Sequence, residues 1–377
     1  MSAALHPAPG GRAAWRERWL NWRNGLVADP RFQRWAAVSP FTRFIAQRRA
    51  KALFDLCAGF VYSQILLACV RLRLFETLAA GPQDVSEIAS RLPLSPEAAH
   101  RLLRAAASLK LLRALPGDRF ALDDLGASML GNPSVAVFVE HHTLLYDDLR
   151  DPVALLRGET ATRLSAFWPY AQGAAGDEAA CGAYSELMAR SQKLIAQDVL
   201  DTYPLGRHRC LLDIGGGEGA FLSVVAARHP ALQLKLFDLP PVAARARRLL
   251  ASQGLSRVEI HAGSFLEAPP PQGADVVTLI RVLHDHDDDK ALAALRAAYA
   301  ALPPGGTLLV AEPMAQTPGA EAIGDAYFGF YLLAMGSGRP RRRAEMIQLL
   351  QASGFERIRL LKSPRPLFAS VLTARRV

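Results

Sequence analysis

The stretch from residue 210 to 312 constrains the fold most. Five apolar runs, CLLDI, LQLKLFDL, VEIHAG, DVVTLIRVL and GTLLVAE, alternate with segments of helical periodicity. Such alternation predicts a parallel sheet covered by helices on both faces. The first run passes into its helix through LLDIGGGEGAFL at 211–222. Glycine in that turn permits positive φ and close approach of a ligand to the backbone, and the amides of the following helix N-terminus face the ligand. Asp238 ends the second run, placed to accept hydrogen bonds from ribose hydroxyls. The chain closes with ERIRLL and LFASVLTAR. The link between them is too short for a crossover helix, so this last pair is predicted to be antiparallel.

A glycine loop followed by an aspartate fits NAD as well as other nucleosides. Three details point to S-adenosylmethionine. The motif reads Asp213-x-Gly215-x-Gly217-x-Gly219 with the aspartate inside the strand end; it follows a long helical region; and the sheet ends in an antiparallel pair.

The run LIRVL leads into His284, which therefore belongs at a strand's carboxyl end, where open α/β sheets bind ligands. An imidazole titrates near pH 6.5 and can take a proton at neutral pH. Glu312 ends the next strand and is positioned to hold that ring. Asp285, His286 and Asp287–Asp289 read instead as a solvated helix start, where acids favour the dipole.

The amino-terminal third is different. Residues 1–51 hold ten basic and two acidic residues, an excess of +8 in a chain whose net charge is +9, together with four of its five tryptophans. Trp15, Trp19 and Trp22 share one helical face. Arginine around such a stripe suits a membrane interface; it suits equally an arm that packs on the body or on a second subunit. The stretch from Leu53 to Gly81 is helical and apolar on most sides, which predicts burial, between subunits if not within one. Residues 84–122 follow a winged-helix-like order: a helix at 84–91, a helix from Pro96 to 109 capped by Ser95, and extended runs 111–115 and 119–122 around Pro116-Gly117-Asp118. The would-be recognition helix has few cations, so no nucleic acid is expected. Residues 134–200 look mostly helical. No run of 18 uninterrupted apolar residues occurs, which rules out a spanning helix, and the start lacks a secretory h-region. Four scattered cysteines argue against a disulfide framework or a zinc site, and for a reducing cytoplasm.

LLDIGGGEG, FDLP, HAGSFLE, LIRVLHDHDDDKA, GGTLLVAE, GSGRPR and LFETLAAGP together resemble the S-adenosylmethionine-dependent O-methyltransferases of the caffeate and acetylserotonin type, over roughly residues 55–377. WRERWLNWRNGLVADPRFQRWA and ALFDLCAGFVYSQILLACVRLRLFE look most like the carotenoid branch, the hydroxyneurosporene and demethylspheroidene enzymes. The resemblance implies an α/β, Rossmann-like methyltransferase domain at 201–377, with an antiparallel last strand. It would follow a basic Trp-rich arm (1–51), a helical dimerisation domain (52–133) and a helical, substrate-lining region (134–200). It implies a homodimer. For the cofactor it implies Asp213, Gly215, Gly217, Asp238, Leu239, Ser264, Phe265 and Arg281; for the substrate, Tyr184 and Met188; for catalysis, His284 as base and Glu312 as its orienter, with no metal. Ser264 stands where the family usually has Asp, and Pro340 where it often has a second Glu behind the histidine.

The expected reaction is methylation of a hydroxyl on an acyclic carotenoid in carotenoid biosynthesis, at the cytoplasmic side of the inner membrane, with peripheral contact through residues 12–51. A tetrapyrrole (bacteriochlorophyllide) or a phenol is the alternative substrate. A tertiary alcohol is far less acidic than a phenol, so positioning, worth about 7–11 kcal/mol of barrier, should dominate, with the proton leaving late. Residues 326–338, AYFGFYLLAMGSG, are expected to roof a greasy pocket.

Overall fold

The computed structural model describes residues 11–167, 192–366 and 368–377. The chain divides into two compact units, 1–127 and 128–377. This division is coarser than the four expected segments.

In the first unit, helices Gly11–Ala28 and Pro30–Val38 precede a 29-residue helix, Arg43–Arg71, which runs across the expected boundary at 51/52. Asp29 caps the second of these, accepting from the Arg31 N–H. The long helix is not buried within the chain: only Leu67 and Cys69 are, while Phe54, Leu56 and Phe60 are exposed, Leu56 by 81%. By length and composition it is apolar enough to cross a bilayer. The expectation that rules out a spanning helix is corrected to that extent: Asp55, Ser63 and Gln64 break the apolar run without ending the helix. Next come β1 (Gln83–Asp84), helix Val85–Arg91, helix Pro96–Ser108, β2 (Leu112–Leu115) and β3 (Arg119–Leu122). Asp84 and Glu87 form a reciprocal capping box. The Ser95 side chain accepts from the Ala98 N–H, with Pro96 in the first turn, as the sequence predicts. The three strands form one antiparallel sheet in the order β1-β3-β2.

The second unit is built on a seven-stranded sheet. Its strands are β4 (Cys210–Ile214), β5 (Gln233–Asp238), β6 (Glu259–Ala262), β7 (Val276–Ile280), β8 (Thr307–Glu312), β11 (Phe355–Leu361) and β12 (Ser370–Arg376), in the order β11-β12-β8-β7-β4-β5-β6. All pairs are parallel except those of β12, antiparallel to both β8 and β11. Strands β4, β7 and β8 are buried at every residue, which is why they read as continuous apolar runs. Two apolar cores lie on the sheet, one including Leu212, Val277 and Leu295, the other Leu211, Phe221 and Leu250. Strand order reverses at β4, which leaves β5 on one side and β7 on the other, so a crevice opens outside their carboxyl ends. A short parallel pair, β9 (Met314–Ala315) and β10 (Arg341–Arg342), ties the segment after β8 to the one before the last helix.

Candidate active site

Five strand ends supply the site. After β4 the chain turns through Gly215, Gly217 and Gly219, at φ 69°, 58° and 84°. A Cβ on Gly215 would sit 2.7 Å from Val282, and one on Gly219 2.7 Å from Leu250, whereas Gly217 faces open space. The loop thus presses on the protein at two glycines and presents backbone at the third. Asp213 lies beneath it, fully buried, accepting from Thr278 Oγ1 at 2.6 Å. Burial, outweighing that hydrogen bond, lifts its pKa to about 7. Its inward position makes it a support of the loop.

Asp238, at the end of β5, accepts from the N–H groups of Gly217 (2.8 Å) and Leu239 (2.7 Å). Burial raises its pKa to about 6 despite both bonds. A half-buried carboxylate beside an open glycine backbone is what a ribose-bearing ligand requires. After β6, the Ser264 hydroxyl accepts from the Leu266 N–H, and Phe265 meets the His286 ring edge-on at 5.4 Å.

Arg281 follows β7 in a left-handed conformation, φ 57°, its N–H bonded to the Ala311 carbonyl at 2.8 Å. Such a conformation costs on the order of 1–3 kcal/mol in a non-glycine residue. It swings the chain into a 3-10 turn, Leu283–Asp285, that points His284 across to β8. Glu312, buried at the end of β8, accepts from the N–H groups of Val282 (2.9 Å) and Leu283 (2.7 Å) and lies 2.6 Å from His284 Nδ1. The expected orienting contact is therefore present.

The expectation for Asp285 and His286 is corrected. Asp285 is buried, with Oδ1 3.1 Å from His284 Nε2, because the 3-10 turn folds it back onto the ring. His286 is half-buried, and burial lowers its pKa to about 4. Asp287 and Asp288 do begin the next helix. His284 thus lies between two carboxylates. Burial opposes charge on its ring, but Asp285 and Glu312 outweigh it and raise the pKa above the ordinary value.

The stretch 336–341 braces this turn. Arg339 N–H donates to the His284 carbonyl at 2.9 Å. The side chain of Arg341, fully buried, donates to the carbonyls of Leu283 (2.5 Å) and His286 (2.6 Å) and to Asp288 (2.9 Å). Gly338, φ 80°, lies so close that a Cβ would fall 2.1 Å from the His284 carbonyl oxygen. Gly338→Ala should therefore displace the turn and lower kcat more than tenfold, since about 1.4 kcal/mol of misplacement suffices. A variant with wild-type kcat would show that the turn tolerates the shift.

Above His284 the chain is aromatic, as AYFGFYLLAMGSG predicts. Ala322–Phe328 forms a π-helical stretch continuing as helix Gly329–Met335; such stretches are frequent at functional sites. Phe328 meets the His284 ring at 5.9 Å. Phe138, Tyr327 and Tyr331 line, with Arg281, His284 and Asp285, a narrow cavity. Sequence reasoning missed two bridges here. On helix Pro133–Asp148, His141 Nε2 lies 2.9 Å from Tyr331 Oη, and His142 Nε2 2.8 Å from Tyr327 Oη. Burial lowers the pKa of both histidines, His141 to about 4, and raises those of both tyrosines, so all four are neutral. Two adjacent histidines in an apolar helix were the available signal. Tyr184 and Met188 lie outside the described residues. An open cleft of about 1140 Å³ also lies at the opposite, amino-terminal edge of the sheet, by His208 and Arg209; none of the residues above lines it.

A seven-stranded sheet with an antiparallel β12, and a glycine loop bonded to the aspartate that ends β5, define a class I S-adenosylmethionine-dependent methyltransferase. Residues 146–356 match the O-methyltransferase domain and residues 54–132 the O-methyltransferase dimerisation domain. The chain belongs to this O-methyltransferase family. It is 44% identical to the demethylspheroidene O-methyltransferase of Cereibacter sphaeroides, over 99% of this chain and 98% of the relative. It is 39% identical to that of Rhodobacter capsulatus, over 99% and 94%. The structure of CalO1, a methyltransferase of calicheamicin biosynthesis with bound SAH, superposes with a TM-score of 0.73 at 25% identity, covering 88% of this chain and 99% of its own.

Asp238→Ala should weaken S-adenosylmethionine binding by about 10–100-fold, the value of a charge-assisted hydrogen bond or two, with the fold retained. Wild-type affinity would contradict the ribose role. In the unmodified protein, affinity should fall as the pH drops through about 6, where Asp238 gains a proton. Calorimetry across that range checks both.

Proposed function

We propose that this enzyme transfers a methyl group from S-adenosylmethionine to the hydroxyl of an acyclic carotenoid, the 1-hydroxy group of the demethylspheroidene or hydroxyneurosporene kind. The observation carrying this reading is the 44% identity to a demethylspheroidene O-methyltransferase over nearly the full length of both chains. Phe138, Tyr327, Phe328 and Tyr331 give the cavity at His284 one aromatic wall, its two tyrosines bridged from behind by His141 and His142, and this wall supports an apolar substrate.

In this reading Gly215, Gly217, Asp238, Leu239, Ser264, Phe265 and Arg281 hold the cofactor, and Asp213 supports the loop. When bound, the cofactor supplies an electrophilic methyl group on a sulfonium. His284 Nε2 takes the hydroxyl proton, and Glu312 fixes the ring through Nδ1. Neutral His284 keeps its proton on Nδ1, facing Glu312, and turns the Nε2 lone pair toward Asp285. The substrate hydroxyl replaces that unfavourable contact with a hydrogen bond. For a weakly acidic alcohol the proton leaves as the new O–C bond forms, so alignment of the hydroxyl is the larger contribution. Phe328 and Tyr327 must part to admit it. The protein works as a homodimer on the cytoplasmic side of the inner membrane, in peripheral contact through residues 12–51.

The test is methyl transfer from labelled S-adenosylmethionine to 1-hydroxylated acyclic carotenoids in detergent, beside catechols and bacteriochlorophyllide. Transfer to the carotenoid hydroxyl is expected. Transfer only to a catechol or tetrapyrrole would overturn the substrate assignment and leave the fold and cofactor untouched.

A further inference from the structure

We propose that helix Gly11–Ala28 lies flat on an anionic lipid bilayer, with its tryptophan stripe at headgroup level. This deepens the membrane contact proposed above and rests on it. At about 100° per residue, Trp15, Trp19, Trp22 and Leu26 fall within about 60° of arc. Arg16 and Arg23 border the stripe on one side and Arg18 on the other; Glu17, Asn21 and Asn24 occupy the back, with Leu20 and Val27 between them and Arg16. The three tryptophans are 62%, 45% and 64% exposed. The Arg23 guanidinium lies over the Trp19 ring at 5.2 Å while bonding Asn24. An apolar stripe with cations on its flanks and neutral or acidic groups behind is the build of a helix lying in the membrane interface.

Two observations separate this surface from the dimer interface. The dimerisation domain match begins at residue 54, where Phe54, Leu56 and Phe60 give an exposed apolar face without flanking tryptophan. A two-fold contact would also set the Trp–Arg stripe against itself and so bring arginines together. The two demethylspheroidene enzymes align with 99% of this chain. The arm accompanies relatives named for a lipophilic substrate, and a lipid surface is where such a substrate is dissolved.

The experiment is sedimentation of the full-length protein with vesicles of phosphatidylcholine and phosphatidylglycerol, and with vesicles of phosphatidylcholine alone, at low and high salt. Binding to the anionic vesicles that weakens with salt is expected. Neutralising Arg16, Arg18 and Arg23 to glutamine should lower partitioning on the order of 100-fold, at about 1 kcal/mol per cation near the surface. Trp15→Ala, Trp19→Ala and Trp22→Ala together should remove the blue shift of tryptophan emission that accompanies binding. Failure of the unmodified protein to bind anionic vesicles would overturn the proposal. So would equal binding by the arginine variant, or loss of the dimer by light scattering in either variant, which would give the stripe to a second copy. Vesicle binding needs no substrate. If it occurs without carotenoid methylation, the substrate reading fails and this one stands.

Discussion

Replacing His284 with alanine is expected to lower kcat by about 10²–10⁴-fold, the usual contribution of a positioned general base, with S-adenosylmethionine affinity unchanged. The ring is held at Nδ1 by a carboxylate that already accepts two backbone N–H groups. It therefore has one orientation. Full activity in the variant would remove the base and leave alignment as the whole mechanism. The pH profile supplies an independent readout. The pKa of His284 is raised in the folded protein, and a base must be unprotonated. The acid limb of kcat/KM should accordingly fall above pH 6.5, with the rate rising as pH rises through it. The same shift stabilises the fold below pH 6.5, and that stability is lost as pH rises through the raised value. Asp285→Asn removes one of the two carboxylates beside the ring and should move the limb down. A limb that stays in place would show that Asp285 does not set the charge of His284.

Arg341→Met should cost about 1–3 kcal/mol of stability for each buried carbonyl left without its donor, and most of the activity. Its guanidinium serves the buried carbonyl of Leu283, the part-buried carbonyl of His286 on the other side of His284, and Asp288 beyond them. Asp288 is half-exposed and can return to water; the buried Leu283 carbonyl carries most of the cost. Arg341→Lys keeps the charge but not the fork that reaches three acceptors, so it should recover only part of the stability. Denaturant midpoints of the three proteins check this. A methionine variant as stable as the wild type would mean that the turn is held by Glu312 and Arg339 alone.

Arg341 also shows where sequence reasoning stopped. GSGRPR was legible as a family segment with Pro340 at the position of an expected glutamate. That comparison directed attention to what Pro340 could not do. The neighbouring arginine braces the same turn from behind, and only the fold brings residue 341 against residues 283–288. Asp285 was misread for a related reason. A helix start rich in acids is ordinarily solvated, and nothing in the order His-Asp-His-Asp says that a 3-10 turn will fold the first aspartate onto the imidazole. The His141–Tyr331 and His142–Tyr327 bridges span more than 180 residues, a separation at which sequence pattern carries no information.

What the sequence determined by itself was local and periodic. The buried strands announced themselves as continuous apolar runs, Ser95 as a cap, the glycine loop by its spacing, and His284 and Glu312 by their place at strand ends. These follow from backbone sterics and from burial on both faces of a parallel sheet, which each segment expresses alone. The tertiary structure decided the charge and support of the histidine: two carboxylates against one ring, an arginine beneath the turn, and a glycine too close to the turn to bear a side chain. It also decided that the long apolar helix Arg43–Arg71 keeps much of its face outside the chain's own core. Composition fixes how apolar a helix is. Which surface covers it depends on what the rest of the chain brings alongside.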